Sequence, residues 1–273
     1  MNQDDLVTLA RETLTICAQG EYGAPSGRCV PIGAALSAAV EGTVVHASGD
    51  FPDREIKRFS STAIEVRNES TFCAIARLTN SYEHLAVLNF ASAKHPGGGF
   101  LRGTMAQEEA LAYASGLYPC LARQSDFYER NRAADSALYL DLAIFSPAVP
   151  FFRDDHGHLT EAPILASVIT APAPNARTLA EQDPRSAREL KPALARRAQL
   201  ILAVAAEHKV DTLILGAWGC GVFANDPGVV AGIFADLLTG DGPYAHAFSR
   251  VVFAVLDRSD DHANLAAFKA ALG

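Results

Sequence analysis

Two adjacent glutamates follow a run of three glycines in this chain of 273 residues. The run is Gly97-Gly98-Gly99, and after seven more residues comes Gln107-Glu108-Glu109. Neighbouring residues on a helix point about 100° apart, so the two carboxylates cannot have the same role. One of them can hold a substrate hydroxyl while the other exchanges a proton. The spacing therefore indicates acid–base chemistry on a hydroxylated substrate.

The glycines and the predicted helix start at Gln107 suit an anionic ligand. Glycine has no Cβ, so its φ can be positive and a ligand can lie directly against the backbone. A helix start adds unpaired N–H groups and a partial positive charge. The alternative interpretation is structural, because glutamates often complement a helix dipole and glycines often form turns. The joint placement of these features after an apolar strand favours function.

Two secondary-structure elements are expected to position this loop. The apolar run 84–90 predicts a buried strand that ends at Asn89 and Phe90. A single helix is predicted from Gln107 onward, with apolar positions at Leu111, Ala114, Leu117, Tyr118 and Leu121. Asn89 has two interpretations, as a ligand contact or as a brace for the loop backbone, because a buried amide needs partners. Tyr113 is interpreted as a packing residue.

A second glycine loop, GAWGCGVFANDP at 216–227, lies between a predicted strand at 210–217 and a helix from about 228 to 238. Its backbone N–H groups can face phosphate oxygens, as in other phosphate-binding loops. The glycine order GxxGxG differs from the Rossmann fingerprint, and the Gly-Lys-Ser/Thr of a Walker A loop is absent. Asn225 and Asp226 are interpreted mainly as helix-capping residues, and Trp218 as structural.

The pattern GGG, seven residues, QEE resembles the signature of the microbial-type poly(ADP-ribose) glycohydrolases, which are built on a macrodomain. The flanking words NFASAKHPGGG and QEEALAYASGLYP resemble that family as well. The resemblance implies a three-layer α/β/α sandwich with a mixed central sheet. It also implies Glu109 as the acid/base and Glu108 as the residue that positions a hydroxyl. The substrate-binding residues that we predict are Asn89, Gly97, Gly98, Gly99, Gln107, Gly219, Cys220, Gly221, Val222 and Phe223.

The reaction implied by the resemblance is hydrolysis of the ribose–ribose O-glycosidic bond of poly(ADP-ribose), with release of ADP-ribose. The loop GCGVFAND would hold the diphosphate, with Phe223 beside the terminal ribose. Glu109 would protonate the departing 2′-oxygen and then take a proton from the attacking water, which is typically worth about 10²–10⁴-fold. A helix start favours an ionised glutamate, whereas desolvation and bound diphosphate favour a protonated one. No cofactor or metal is expected.

Three other functions remain as alternatives. A macrodomain can bind ADP-ribose as a reader without cleaving the polymer, although a reader does not need paired glutamates. A mono-ADP-ribosyl hydrolase would remove single ADP-ribose groups from protein or nucleic acid. An NAD-dependent oxidoreductase is disfavoured because the dinucleotide fingerprint is missing.

The chain as a whole predicts one α/β domain at 1–273, with an N-terminal helical extension at about 1–60. Strands alternate with helices, which indicates a mainly parallel or mixed sheet covered on both faces. Ligands bind such sheets beyond the carboxyl ends of the strands. The loops 91–106, 171–175 and 218–227 are therefore candidate walls of one site, and the resemblance implies that they converge.

Composition limits the partners and the compartment. A net charge of −8 argues against electrostatic nucleic-acid binding. We find no membrane-spanning run and no signal peptide. Five scattered cysteines without a CxxC pair predict reduced thiols rather than disulfides or a zinc site. We expect a cytoplasmic monomer that acts on ADP-ribosylated proteins, reversing ADP-ribosylation in the DNA damage response.

Further elements follow from periodicity and turn residues. Helices are predicted at 4–19 and at 184–209, the second broken or bent near Pro192. Strands are predicted at 139–145 and 164–170, with a small hairpin that turns at 154–157. The segment 125–134 is expected to be polar and exposed, and 48–59 to be a polar connection. His156 and His158 are assigned to a surface loop.

Overall fold

The computed structural model describes residues 1–51, 56–79 and 84–273. Within these ranges seven strands form one mixed sheet. In spatial order the strands are Val44–Ala47 (β3), Leu142–Arg153 (β6), Leu159–Ala171 (β7), Leu85–Phe90 (β5), Thr212–Leu215 (β8), Arg250–Ala254 (β9) and Ala63–Arg67 (β4). Pairing is parallel from β7 to β4 and antiparallel from β3 to β7. Glu21–Gly23 (β1) and Cys29–Pro31 (β2) form a separate hairpin.

Helices cover both faces of the sheet. They are Gln3–Gln19 (α1), Gly33–Glu41 (α2), Thr71–Leu78 (α3), Gln107–Ala114 (α4), Leu117–Ala122 (α5), Ser125–Ala133 (α6), Ala176–Gln182 (α7), Leu190–Glu207 (α8), Pro227–Leu238 (α9) and Ala263–Leu272 (α10). One apolar core lies between the sheet and α8, α9 and α10, and another between the sheet and α3 to α6. The predicted three-layer α/β/α sandwich with a mixed central sheet is confirmed.

The central strands β5 and β8 are largely apolar because both of their faces are buried. On β5, Leu85 and Val87 belong to the core beneath α3 to α6, whereas Ala86 and Leu88 belong to the core beneath α8 to α10. The period of two that is intrinsic to a strand thus divides one apolar run between two cores. Because β5 is the fourth of the seven strands, its end lies in the middle of the sheet.

The N-terminal segment packs against the loop at 91–106, which contains Gly97, Gly98 and Gly99 and is called the glycine loop from here on. Helix α1 places Leu6, Leu9 and Ala10 against Phe100 and Tyr113. The Thr13 hydroxyl donates to the Tyr113 carbonyl over 2.8 Å. The predicted N-terminal helical extension holds α1, the β1–β2 hairpin, α2 and β3, and β3 forms an edge of the central sheet. The predicted polar connection at 48–59 includes residues 52–55, which lie outside the described residues.

The helix predicted from Gln107 to Leu121 is interrupted at Ser115. This residue has extended backbone dihedrals and forms a β-bridge with Phe151. Its hydroxyl donates to the Leu111 carbonyl over 2.7 Å, and the N–H of Gly116 donates to the Pro150 carbonyl over 3.0 Å. Contact with β6 therefore divides one apolar pattern into α4 and α5.

Two further segments agree with the prediction in part and differ in detail. The segment 125–134 is polar and mostly exposed, as predicted, but it forms the helix α6 and buries Phe127, Tyr128 and Asn131. The helix predicted at 184–209 is broken near Pro192, as predicted, although the break lies just before the proline rather than at it. A 3₁₀ turn at Pro184–Glu189 precedes α8, and Pro192 lies in the first turn of α8, where its missing N–H needs no partner.

The β6–β7 hairpin is larger than predicted. Strand β6 begins at Leu142 rather than Tyr139, which has a left-handed φ of 56°. The turn lies at 154–157 as predicted, and Asp154 accepts the N–H groups of His156 and His158 over 2.9 Å. Both histidines are on the surface loop that was predicted for them, although the ring of His158 also contacts Asp154.

Candidate active site

The glycine loop follows β5 and folds back on itself through backbone hydrogen bonds. Gly98 N–H donates to the His95 carbonyl over 3.0 Å, and Arg102 N–H donates to the Gly99 carbonyl over 2.8 Å. Gly97 and Gly98 have φ values of 65° and 60°, which side chains rarely permit. The turn therefore requires glycine at these two positions.

Gly98 lies directly against both glutamates of α4. A Cβ on Gly98 would be 2.5 Å from Glu109 Oε1 and 2.9 Å from Glu108 Oε2. Although the two side chains leave the helix in different directions, one oxygen of each therefore faces the same bare backbone. A substrate that lies on Gly98 would meet both carboxylates.

Glu109 is held by the glycine loop. Its Oε1 accepts from Gly99 N–H over 2.8 Å and from the Thr104 hydroxyl over 3.0 Å. Its Oε2 accepts from Ala106 N–H over 3.0 Å, a bond from the residue that caps α4. The side chain is 8% exposed. Three donors thus fix the carboxylate at the first turn of α4.

Glu108 is held by the end of β5 and the residues just after it. Its Oε2 accepts from Ser92 N–H over 2.6 Å, and its Oε1 accepts from Asn89 Nδ2 over 3.2 Å. Only 3% of the residue is exposed. Burial raises the pKa of Glu108 to about 8, against the hydrogen bonds from Ser92 and Asn89, and the charge of Glu109 adds to the increase. Glu108 therefore carries a proton at neutral pH.

Asn89 and Gln107 join α4 to the strands. Asn89 Nδ2 also donates to the Thr170 hydroxyl on β7, while its buried Oδ1 has no partner within the described chain. Gln107 Oε1 accepts from Phe90 N–H over 2.8 Å, and its Nε2 donates to the Leu88 carbonyl over 2.8 Å. The Gln107 amide is thus turned toward β5 and fixes the start of α4 to that strand.

The loops after β7 and β8 converge with the end of β5. Trp218 Nε1 donates to the Ala171 carbonyl over 2.9 Å, which confirms the structural interpretation of Trp218. Asn225 Nδ2 donates to the carbonyls of Pro174 and Gly219 over 2.8 and 3.0 Å. A Cβ on Gly216 would lie 2.9 Å from the Phe90 ring. The three loops implied to converge are therefore adjacent.

Asn225 does not cap helix α9. Asp226 alone is the N-cap, and its Oδ1 accepts from Val229 N–H over 2.9 Å. The Asn225 amide donates instead to the Pro174 carbonyl in the loop after β7 and to the Gly219 carbonyl in its own loop. The capping interpretation was therefore correct for Asp226 and wrong for Asn225.

The loop after β8 presents backbone donors. Among the described residues no acceptor is bonded to the N–H groups of Gly221, Val222 and Phe223. Gly219 and Ala224 on either side of them have positive φ values of 75° and 55°. Val222 is 74% exposed, so these donors lie at the surface. Successive free N–H groups in such a turn form a concave anion site.

Comparison with known proteins identifies the family. The model of the microbial-type PARG catalytic domain, PARG being poly(ADP-ribose) glycohydrolase, matches residues 10–154. The crystal structure of poly(ADP-ribose) glycohydrolase from Thermomonospora curvata is 44% identical, with a TM-score of 0.92 over 98% of this chain and 100% of that one. The chain belongs to the microbial-type poly(ADP-ribose) glycohydrolase family.

Two further glycohydrolase structures contain ligands. The Thermomonospora curvata enzyme bound to the inhibitor ADP-HPD is 44% identical, with a TM-score of 0.90 over 98% of this chain and 99% of that one. The Deinococcus radiodurans enzyme in complex with ADP-ribose is 46% identical, with a TM-score of 0.82 over 86% of this chain and 96% of that one. The search of curated proteins gave no match.

Phe223 and Cys220, both in the loop after β8, differ in how available they are to a ligand. The half-buried Phe223 ring lies 6.2 Å from the Tyr139 ring, centroid to centroid. Burial raises the pKa of the Cys220 thiol to about 12, with a further increase from the charge of Asp226, and its N–H donates to the Ala217 carbonyl. The Cys220 N–H is therefore used within the turn and its thiol is neutral, whereas the Phe223 ring and the N–H groups of Gly221, Val222 and Phe223 are available to a ligand.

Sequence reasoning missed several polar residues of this glycohydrolase site. Within the glycine loop, Ser92 donates a hydrogen bond to Glu108 and Thr104 donates one to Glu109. The only signals in the sequence are that both residues can form hydrogen bonds and lie close to the glutamates in the chain. Arg197 is fully buried, and its Nη1 donates to the Pro172 carbonyl over 2.7 Å. Its Nη2 donates to Asp141 Oδ1 over 2.9 Å, a partner 56 residues away that no local pattern reveals.

Proposed function

We propose that this protein hydrolyses the ribose–ribose O-glycosidic bonds of poly(ADP-ribose) and releases ADP-ribose. The observation that carries the proposal is the position of Gly98, whose bare Cα faces one oxygen of Glu108 and one of Glu109. Membership of the glycohydrolase family and the ligand-bound structures of its relatives support the same substrate.

The terminal ADP-ribose would be seated by backbone groups. Its diphosphate accepts from the free N–H groups at 221–223, where positive φ values on either side curve the chain into a concave surface. The Phe223 ring lies beside the terminal ribose. Because these contacts need no basic side chain, they are compatible with the net charge of −8.

The two glutamates then divide the chemistry. Glu109 donates a proton to the departing 2′-oxygen, the C–O bond breaks, and an oxocarbenium-like centre develops on the ribose. Water attacks that carbon and returns its proton to Glu109, so the carboxyl group is restored. Glu108, which is protonated below about pH 8, donates a hydrogen bond to a ribose hydroxyl and holds it in place.

The test is incubation of the purified protein with poly(ADP-ribose), followed by identification of the released product. Release of free ADP-ribose from the polymer is expected. A polymer that stays intact while ADP-ribose binds would indicate a reader. Release only from singly modified protein would indicate a mono-ADP-ribosyl hydrolase.

The setting of the reaction is also part of the proposal. ADP-ribosylated proteins would carry the polymer, and its removal would contribute to the DNA damage response. The acidic net charge supports a partner other than nucleic acid. The five free thiols support action in the reducing cytoplasm, where the protein would act as a monomer. Among the described helices, none is both long and apolar enough to cross a membrane.

A further inference from the structure

Four basic side chains border the glycine loop, and we name them the basic rim: Lys94, His95, Arg102 and Arg132. Lys94 is partly exposed, and the other three are exposed. The protein around them is acidic, with a net charge of −8. A local cluster of positive charge in an acidic protein indicates a specific anionic partner rather than general attraction to polyanions.

The rim is attached to the backbone that holds the glutamates. The bonds from Gly98 N–H to the His95 carbonyl and from Arg102 N–H to the Gly99 carbonyl place His95 and Arg102 at the two ends of the glycine turn. Arg132 reaches the same loop from α6, and its Nη1 donates to the Lys94 carbonyl over 2.6 Å. The rim therefore lies at the edge of the site that contains Glu109.

The charges of the rim are not neutralised by the protein. In the part of the chain that the structure describes, no carboxylate forms an ion pair with Lys94, Arg102 or Arg132, whereas Arg197 pairs with Asp141. Partial burial lowers the pKa of His95, and the charges of Arg102, Arg132 and Lys94 lower it further. Each of the three cations therefore lies close enough to His95 to act on its ring, and an anion bound among them would relieve the repulsion.

The chemistry of the polymer supplies such an anion. The leaving 2′-oxygen belongs to the ribose of the next adenosine, and the 5′ carbon of that same ribose carries a second diphosphate. Two more phosphates must therefore lie within one nucleoside of Glu109. Leu101 and Met105, which lie on either side of Arg102 in the sequence, are 49% and 52% exposed and offer an apolar surface to the adenine.

We propose that the basic rim binds the diphosphate of the ADP-ribose unit on the leaving side of the scissile bond, with Leu101 and Met105 against its adenine. This inference rests on the proposed function. It assigns to the protein a second phosphate subsite, built from side-chain charge, in contrast to the backbone donors at 221–223. It predicts that the protein distinguishes polymer from free ADP-ribose by an ionic contact.

The experiment compares polymer binding with ADP-ribose binding in a catalytically inactive background. Glu109→Gln protein is compared with the same protein carrying Lys94→Gln and Arg102→Gln, and Kd is measured for poly(ADP-ribose) and for ADP-ribose between 50 and 200 mM NaCl. Polymer binding is expected to weaken about tenfold, and the slope of log K against log salt to fall by about 1.4, at about 0.7 for each phosphate contact. The Kd for ADP-ribose is expected to stay the same.

The matched control is Lys269→Gln on α10, which packs against α9 and the β4 edge of the sheet and should change neither slope nor Kd. A second variant, Arg132→Gln, removes a rim charge from a different element and should weaken polymer binding in the same direction. Unaltered melting temperatures and ADP-ribose binding establish that the variants are folded.

Two results would overturn the inference. Equal weakening of polymer and ADP-ribose binding would assign the rim to the terminal unit, and unaltered polymer binding would remove its role altogether. Failure of the wild-type protein to release ADP-ribose from polymer would instead reject the proposed hydrolysis. The two failures are distinguishable because the rim is tested by binding alone.

Discussion

Gly98 and Glu109 are arranged so that a methyl group on the glycine would lie 2.5 Å from Oε1 of the glutamate. The same group would lie 2.9 Å from Oε2 of Glu108. The neighbouring Gly99 N–H donates to Glu109, so the backbone that leaves room for substrate also anchors the acid. The glycine turn therefore both leaves space for a ligand and fixes the orientation of the Glu109 carboxylate.

Gly98→Ala should reduce activity while leaving the fold intact. The new Cβ would push the Glu109 carboxylate aside, and a misplacement of about 1 Å can reduce kcat/KM about 100-fold. The left-handed φ adds about 1–2 kcal/mol of strain. The measurements are kcat/KM on polymer and the free energy of unfolding.

Gly232→Ala in α9 is the matched control, because nothing lies within 4 Å of its Cβ and the helix should gain about 0.5–1 kcal/mol. Wild-type activity in Gly98→Ala would contradict the geometry.

Glu108→Gln should remove a pH dependence of stability. The native state retains the Glu108 proton up to about pH 8, whereas the unfolded chain loses it near 4.5, so the free energy of unfolding falls as pH rises through this window. The loss between pH 5 and pH 8 should be about 2–4 kcal/mol, since each pKa unit corresponds to about 1.4 kcal/mol. Urea unfolding at both pH values measures it.

The Glu108→Gln variant cannot ionise at this position, so its stability should decline less than that of the wild type over the same interval. Glu181→Gln, an exposed substitution of the same kind on α7, should retain the wild-type dependence. An equal decline in wild type and Glu108→Gln would show that Glu108 is ionised in the folded protein at neutral pH.

Asn225→Ala should weaken ADP-ribose binding although the Asn225 side chain is not expected to contact the ligand. The substitution removes the hydrogen bond that joins the loop after β8 to the Pro174 carbonyl of the loop after β7, and a second bond to the Gly219 carbonyl that holds the loop after β8 itself. We expect the Kd for ADP-ribose, measured by calorimetry, to rise about tenfold, which corresponds to about 1.4 kcal/mol. Asp226→Ala removes only the cap of α9 and should lower the melting temperature while the Kd stays constant. A larger effect on Kd from Asp226→Ala would refute the assigned role of Asn225.

Arg196 and Arg197 test what burial contributes to an ion pair. Both guanidinium groups pair with Asp141, but the Arg196 side chain is 53% exposed and the Arg197 side chain is fully buried. Arg197→Met should lower the free energy of unfolding by about 3–5 kcal/mol, because the carbonyls of Pro172 and Leu138 also lose their donor. Arg196→Met should lower it by about 0–1 kcal/mol. Similar losses in the two variants would contradict this assignment.

The local parts of the site could be predicted from the sequence. The apolar run of β5, the glycines after it and the start of α4 are close in the chain, so periodicity and turn chemistry place them correctly. The positive φ of Gly98 follows from the same reasoning. The alternation of strands and helices also predicted a sheet covered on both faces, and the resemblance to the family added that this sheet is mixed.

The long-range parts could not be predicted. Helix α4 ends because Ser115 bridges to Phe151, and Gln107 turns to β5 because of backbone groups that only the fold brings near. The burial of α6 depends likewise on the sheet beneath it. The short strands β1 and β2 and helix α2, which begins without a side-chain cap, were missed because each has a weak local signal.

The most direct test of the account is the turnover of poly(ADP-ribose) by Glu109→Gln, measured together with the binding of ADP-ribose. Removal of the acid/base group should reduce the release of ADP-ribose by at least about 10²–10⁴-fold. The Kd for ADP-ribose should remain near that of the wild type, because Phe223 and the N–H groups at 221–223 are untouched. Normal release of ADP-ribose by Glu109→Gln would contradict the account.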